Sequence, residues 1–131
     1  MKLSTLAAGL VLALGLGSCA TGQLREAETP EELIQYGQEA MDRNRYKLAL
    51  AYYDLILERF PGNDSVLCAA EYEIAFIHYK QKKYDLARTE FQALLGRYDT
   101  PDEELLPSQF KILTNIVLEQ IDSRTRKKSG R

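Results

Sequence analysis

Residues 44–49 read NRYKLA, and residues 82–87 read KKYDLA. The two stretches superimpose at an offset of 38 residues, and the agreement continues on both sides of them. The further matched pairs are Gly37 with Ala75, Tyr53 with Phe91, Ile56 with Leu94, Arg59 with Arg97 and Phe60 with Tyr98. Self-similarity at a fixed period is typical of repeat architectures, so we interpret this 131-residue chain first as a short array of repeats.

Each repeat has the apolar spacing of two successive helices. Apolar and small residues recur every three or four positions, which places them on one face of a helix. In the first helix they are Leu33, Tyr36, Gly37, Ala40 and Met41, and in the second Tyr46, Ala49, Tyr53, Ile56 and Phe60. Small residues at Gly37 and Ala49 would let the two helices approach closely, while aromatic side chains fill the space beside them. This pattern predicts packing and not catalysis.

The repeats resemble the tetratricopeptide repeat, a helix-turn-helix unit that usually has 34 residues. The matching positions in the first copy are Gly37, Tyr46, Ala49, Tyr53 and Pro61, and in the second Ala75, Tyr84, Ala87 and Phe91. Asp99 stands where the second copy would have its proline. The resemblance implies an all-α fold of tetratricopeptide-repeat helical hairpins, two repeats in number, plus a C-terminal capping helix.

Capping signals give the expected helix boundaries. Thr29, Pro30 and Glu32 form a threonine N-cap, a first-turn proline and a capping-box glutamate, and residues 100–103 repeat this device. Pro107 offers a second start just beyond. We predict helices at residues 30–43, 46–60, 65–81, 84–98 and 107–123. The fifth carries Phe110, Leu113, Val117 and Ile121 on one stripe, with Ile112 and Ile116 on a second apolar edge. Because two repeats bury little core alone, either this helix or a partner should close the array.

The N-terminus is typical of a secreted lipoprotein. Lys2 precedes an apolar run that is too short for a transmembrane helix, so we exclude residues 1–18 from the fold as a signal peptide. Residues 16–19 read LGSC and resemble the bacterial lipobox, which implies cleavage before Cys19 and acylation of that cysteine. Several acyl chains on one residue would anchor it almost permanently, at ~0.8 kcal/mol per buried CH₂. Ala20 is not the aspartate of inner-membrane retention, which favours the outer membrane, with the protein facing the periplasm.

Domain organisation follows from these boundaries. Residues 1–18 are the signal peptide, 19–29 a lipidated polar tether, 30–123 the repeat domain and 124–131 a basic tail. Residues 25–123 hold 11 basic and 19 acidic side chains, a balance of −8, whereas the last eight hold five basic and no acidic ones. An acidic folded part would repel phosphate, so we expect no nucleic-acid binding. The tail is either a frayed, solvated terminus or a contact for anionic lipid headgroups or an acidic partner.

No residue pattern in the chain indicates catalysis, a cofactor or a metal. One histidine, His78, and one cysteine besides Cys19 do not make a zinc site, and Cys68 among alanines is typical of a small buried hydrophobe. Glycine-rich phosphate loops, nucleophile elbows and HExxH motifs do not occur. We therefore expect a protein that is not an enzyme.

The tetratricopeptide resemblance also implies where a partner would bind. In such arrays the first helix of each repeat lines a groove, and the groove positions here include Ile34, Gln38, Met41, Tyr72, Phe76, Tyr79 and Lys80. Three of them form an aromatic stripe along one helix, which is suited to anchoring a partner segment. The alternative is that the fifth helix covers this stripe within the same chain.

Among lipidated repeat proteins, the chain resembles the BamD-like subunits of the outer-membrane β-barrel assembly machine. Residues 1 to about 98 carry the resemblance, through the early repeats and the RFP sequence at residues 59–61. It implies a non-enzymatic scaffold whose envelope partner is a β-barrel assembly component, although the familiar members carry more repeats. Other roles that fit this build are a cell-division or cell-wall coordinator and a secretin pilotin. A ligand-binding lipoprotein of a transport system would need a pocket.

Overall fold

The computed structural model describes residues 23–130, and within that range the fold is all-α. Five helices follow one another: α1 Pro30–Asp42, α2 Tyr46–Arg59, α3 Asp64–Lys80, α4 Tyr84–Arg97 and α5 Ser108–Ser129, with a short 3₁₀ turn at Glu103–Leu105. The all-α prediction is thereby confirmed. Cys19 and the rest of residues 1–22 lie outside the described residues.

The two proposed capping devices behave differently. Thr29 caps α1 as predicted: its Oγ1 accepts from the Glu32 amide at 3.2 Å, and the Glu32 carboxylate accepts from the Thr29 amide at 3.2 Å. Thr100 does not cap a helix, because its hydroxyl donates to the Arg97 carbonyl at 2.9 Å. The chain therefore makes only the 3₁₀ turn there, and α5 begins after Pro107.

The last helix runs six residues past its expected end at residue 123. Residues 124–129, predicted as a basic tail outside the helix, continue α5. Arg124 explains part of the extension, because its guanidinium lies 5.4 Å from the centre of the Tyr79 ring on α3. The basic side chains of this segment are nevertheless exposed.

Both hairpin turns have the same backbone geometry. Asn44 ends α1 with φ 55°, and Lys82, at the matched position, ends α3 with φ 63°. The Arg45 amide donates to the Ala40 carbonyl at 2.8 Å, and the Lys83 amide donates to the His78 carbonyl at 2.9 Å. These are Schellman turns, which reverse the chain sharply after a helix. The two helical hairpins therefore have the same type of turn between their helices.

Two core clusters share α3 between them. The first packs α1 and α2 against one side of α3 around the fully buried Leu33, Tyr53 and Ile56, and the second packs α4 and α5 against its other side around Phe91 and Ile121. Every residue of the two clusters lies between positions 27 and 121. The helical part thus carries its own hydrophobic core.

Gly37 allows the closest approach in the first hairpin. A Cβ placed on it would lie 2.6 Å from Cζ and 2.9 Å from the hydroxyl oxygen of Tyr53 on α2. The matched positions in the second hairpin are Ala75 and Phe91, both fully buried, and this aromatic ring has no hydroxyl. In the first hairpin, Gly37 and the Tyr53 ring thus face each other, as the sequence indicated.

Consecutive helices joined by such short turns run antiparallel, so the domain has two opposite edges. One edge holds the α1–α2 turn, the α3–α4 turn and the end of α5, since residues of the α3–α4 turn and residues 125–129 line a common cleft. The other edge holds the start of α1, the α2–α3 turn and the α4–α5 link; there the Arg97 guanidinium lies 3.3 Å from the Asp64 carboxylate. Across residues 23–130, no helix is both long and apolar enough to cross a membrane.

Candidate interaction surfaces

The predicted groove residues on α1 lie in a row but are unequally exposed. Ile34 and Met41 are half-buried and pack against the first core cluster, while Gln38, one turn from Ile34, is exposed. Lys80 is exposed at the end of α3. This part of the predicted surface is accessible but offers few apolar atoms.

The aromatic stripe on α3 packs against α5 and does not form an open groove. Tyr72 and Tyr79 are 8% and 9% exposed, and Phe76 between them is half-buried in the second cluster. The Tyr72 ring centre lies 5.7 Å from that of Phe110 on α5. The stripe is therefore a helix-packing surface within the chain.

Polar contacts fix α5 over the stripe as well. The Tyr79 hydroxyl donates to Oε1 of Gln120 at 2.8 Å, and burial raises the pKa of Tyr72 to about 12. While α5 stays in place, Tyr72 and Tyr79 therefore offer little surface to a partner, and Phe76 is covered in part.

The outer side of α5 carries several exposed aliphatic side chains. Ile112 is 60% exposed and Ile116, one turn further, is 46% exposed, with Leu113 beside Ile112 at 40%. Leu105, on the 3₁₀ turn before α5, is 81% exposed. We call Ile112, Leu113 and Ile116 the α5 apolar face. The sequence did signal it, since Ile112 and Ile116 form the second apolar edge of the fifth helix. Contiguous exposed aliphatics of this kind mark interaction sites.

A second apolar depression lies between α2, α3 and α4, and the sequence gave no signal for it. It has a volume of about 590 Å³, and Leu57, Ile74 and Leu94 form its floor. Arg97 stands at its rim, where two of its guanidinium nitrogens each lie 2.7 Å from a Glu71 carboxylate oxygen. This bidentate pair keeps the pKa of Arg97 raised and fixes α4 against α3.

The tether is not a free polar segment at its C-terminal end. The Arg25 amide donates to the Tyr52 hydroxyl at 2.9 Å, and the Arg25 guanidinium lies 3.6 Å above the Tyr36 ring centre and 2.6 Å from the Glu39 carboxylate. Nearer to α1, Arg59 donates to the Ala27 carbonyl at 2.8 Å. From Gln23 onward the tether therefore lies along α1 and α2.

A cleft of about 230 Å³ opens beside this segment. Gln23, Arg25, Arg43 and Arg45 line it together with Glu39. Arg25 forms an ion pair with the Glu39 carboxylate, whereas the guanidinium groups of Arg43 and Arg45 form no ion pair within residues 23–130. Two guanidinium groups without an ion pair at one small opening favour an anionic ligand.

The remaining reactive side chains are engaged in packing. Nδ1 of His78 lies 2.7 Å from the Glu90 carboxylate and joins α3 to α4. Cys68 is fully buried, and burial raises the pKa of its thiol, which lowers its thiolate fraction and reactivity. In the described part of the chain, no three side chains of His, Cys, Asp or Glu converge as metal ligands would.

Comparison with known proteins gives one informative match. The chain is 34% identical over 96 residues to an uncharacterized protein of Treponema pallidum (strain Nichols). The match covers 73% of this chain but 38% of that protein, so the chain spans well under half the length of its relative. No family model matches the chain, and no solved structure matches it. The aligned region covers most of this chain, and the name of the relative describes no activity.

Proposed function

We propose that this protein is a non-enzymatic, lipid-anchored scaffold of the bacterial cell envelope that binds a component of outer-membrane β-barrel assembly, as a short BamD-like lipoprotein. The observation that carries the proposal is the α5 apolar face, formed by Ile112, Leu113 and Ile116. A helical domain that leaves contiguous aliphatics in water has a binding surface to offer. Its place would be the periplasmic side of the outer membrane.

The helical hairpins support the tetratricopeptide part of the proposal. Both turns place a left-handed residue at matched positions, Asn44 and Lys82. Gly37 lies against the Tyr53 ring in the first hairpin, and the matched residues Ala75 and Phe91 are fully buried in one core cluster. α3 packs on α2 and touches α1, and α5 packs on α4 and touches α3 in the same manner. Such stacking of like units is the principle of solenoid repeats.

In this interpretation α5 takes the place of the first helix of a third repeat. In an array of repeats the outer side of such a helix contacts a neighbouring helix. The exposed aliphatic side chains of Ile112 and Ile116 would be suited to such a contact. We propose that a partner helix or segment binds there.

The LGSC sequence at residues 16–19 supports the anchor, through its resemblance to the lipobox. Replacing Cys19 with serine would abolish acylation, so the protein should be released from membranes or be retained with its signal peptide uncut. Fractionation and intact-mass measurement would distinguish these forms. If the C19S protein stayed in the membrane with the mass of the wild-type mature form, the anchor proposal would be wrong.

The partner is tested by affinity capture from solubilised membranes. We expect the wild-type protein to recover a β-barrel assembly component, and I112S/I116S to lose it, because the substitutions remove the exposed aliphatic contact. L86S is a matched control, since Leu86 is 45% exposed on α4, away from the α5 apolar face. Reproducible absence of every β-barrel assembly component would refute this function, and recovery of division, cell-wall or secretion proteins would favour the other scaffold roles.

A further inference from the structure

The fold sorts its charged side chains onto opposite edges. The edge with the α1–α2 turn, the α3–α4 turn and the end of α5 carries exposed basic residues, and we call it the basic edge. These basic residues are Arg43, Arg45, Lys47, Lys80, Lys82, Lys83, Arg124, Arg126, Lys127 and Lys128. The same edge also carries the exposed acidic residues Asp42 and Asp85. In sequence these cations are scattered over more than eighty positions. Only the antiparallel hairpins bring them together.

The opposite edge is acidic. It carries Glu28, Glu31, Glu32, Asp64, Asp99, Asp102, Glu103 and Glu104, against the basic residues Arg59, Arg97 and Lys111. Two of those three cations are engaged, since Arg97 pairs with Glu71 and Asp64, and Lys111 pairs with Glu103. The domain is thus an electric dipole along its helix axes, although the formal net charge of the whole chain is only −2.

The tether leaves the domain at the basic edge. Ala27 is bound by Arg59 near the end of α2, whereas Gln23 lines the cleft that contains Arg43 and Arg45 at the α1–α2 turn. Residues 23–29 therefore run from the basic edge to the acidic edge. Cys19 is four residues before Gln23, and four residues span at most about 14 Å. An anchor at Cys19 would hold the basic edge close to the membrane surface.

We propose that the basic edge binds the phosphates of anionic lipid headgroups and thereby fixes the orientation of the domain, with the acidic edge directed away from the membrane. The inference rests on the proposed membrane anchor and adds the surface that faces the lipid. Arg43 and Arg45, at the cleft beside the tether, are the first contacts. Ten exposed cations distributed over two turns and the end of α5 fit a plane of phosphates better than one small anion.

Screening explains why the acidic edge does not oppose this contact. A helix of 14 residues, as α2 and α4 are, is about 21 Å long, and the Debye length at physiological ionic strength is about 8 Å. Carboxylates on the far edge are therefore more than two Debye lengths from the lipid plane. The orientation depends on the charges of the near edge alone, in spite of the net negative charge.

Vesicle binding by residues 23–131, which contain both core clusters, tests the proposal without the anchor. Binding to vesicles of phosphatidylglycerol and phosphatidylcholine is compared with binding to phosphatidylcholine alone at 0.15 M salt. We expect binding only to the anionic vesicles, and about 30-fold weaker binding for R43Q/R45Q, from the contribution of each cation near an anionic surface. The charge-preserving R43K/R45K should stay within about twofold of wild type.

A change at the acidic edge is the second control. D102N/E104Q raises the net charge by the same two units that R43Q/R45Q removes, yet it should leave vesicle binding unchanged, because its site is screened. K82Q/K83Q repeats the test at the other basic turn, in case R43Q/R45Q does not fold by circular dichroism. Equal binding to phosphatidylcholine, full binding by both glutamine variants, or an equally large effect of D102N/E104Q would overturn the proposal. If the intact mass of the mature protein showed no acyl groups on Cys19, the anchor proposal would be refuted independently of the vesicle experiment.

Discussion

Replacing Gly37 with alanine tests the packing of the first hairpin most directly. The added Cβ would lie 2.6 Å from Tyr53 Cζ and 2.8 Å from Cε1, whereas carbon atoms in contact are normally about 3.5–4.0 Å apart. The Tyr53 ring would have to move by about 1 Å. Because this side chain is fully buried, the neighbouring core must move with it.

The magnitude follows from two opposing effects. Overpacking a well-packed core costs about 1–3 kcal/mol, whereas alanine is favoured over glycine in a helix by up to about 1 kcal/mol. Gly96 on α4 provides the matched control, since it is exposed and a Cβ there meets no atom within 4 Å. G96A should be neutral or slightly stabilising. The difference in free energy of unfolding between the two variants then isolates the packing cost, about 1–3 kcal/mol.

Urea unfolding followed by helical circular dichroism would measure this difference in free energy. In thermal unfolding, each kcal/mol should lower Tm by about 4–8 °C. The double variant G37A/Y53F reproduces the residue pair of the second hairpin, Ala75 with Phe91, and should recover part of the loss. If G37A were as stable as G96A, the close approach of α1 and α2 that we infer at Gly37 would be wrong.

Two further predictions concern stability. Lys82→Gly should stabilise the protein by about 0.5–1 kcal/mol in thermal unfolding. Lys82 has φ 63°, and this left-handed conformation costs a non-glycine residue about 1–2 kcal/mol, from which the larger unfolded-state entropy of glycine must be subtracted. N44G should gain less stability, because asparagine tolerates the left-handed conformation better than lysine does. Burial raises the pKa of the Glu73 carboxyl, so the native state binds this proton more tightly than the unfolded state, and stability should fall as the pH rises through the raised pKa. E73Q should therefore be more stable than wild type at neutral pH, and chemical denaturation from about pH 4 to 7 should show the gap closing towards acid; a gap that stayed constant would contradict this origin.

Local features of the chain predicted much of the fold. The spacing of apolar residues placed four of the five helices within about one residue at each end, and the offset of 38 residues paired Gly37 with Ala75 and Tyr53 with Phe91. These signals succeed because helix periodicity and helix–helix contact within a hairpin depend on residues close in sequence. The end of α5 was missed, since it depends in part on Arg124 meeting Tyr79 on another helix.

The candidate site also was predictable only in its local features. The sequence by itself determined that Tyr72, Phe76 and Tyr79 share one helical face and that Ile112 and Ile116 form an apolar edge. Only the tertiary structure decided that α5 covers the first set and exposes the second. It also decided that cations far apart in the chain gather on one edge, beside the tether. The physical reason is that periodicity specifies a face, whereas its neighbour is specified by packing between distant segments, which no local pattern encodes.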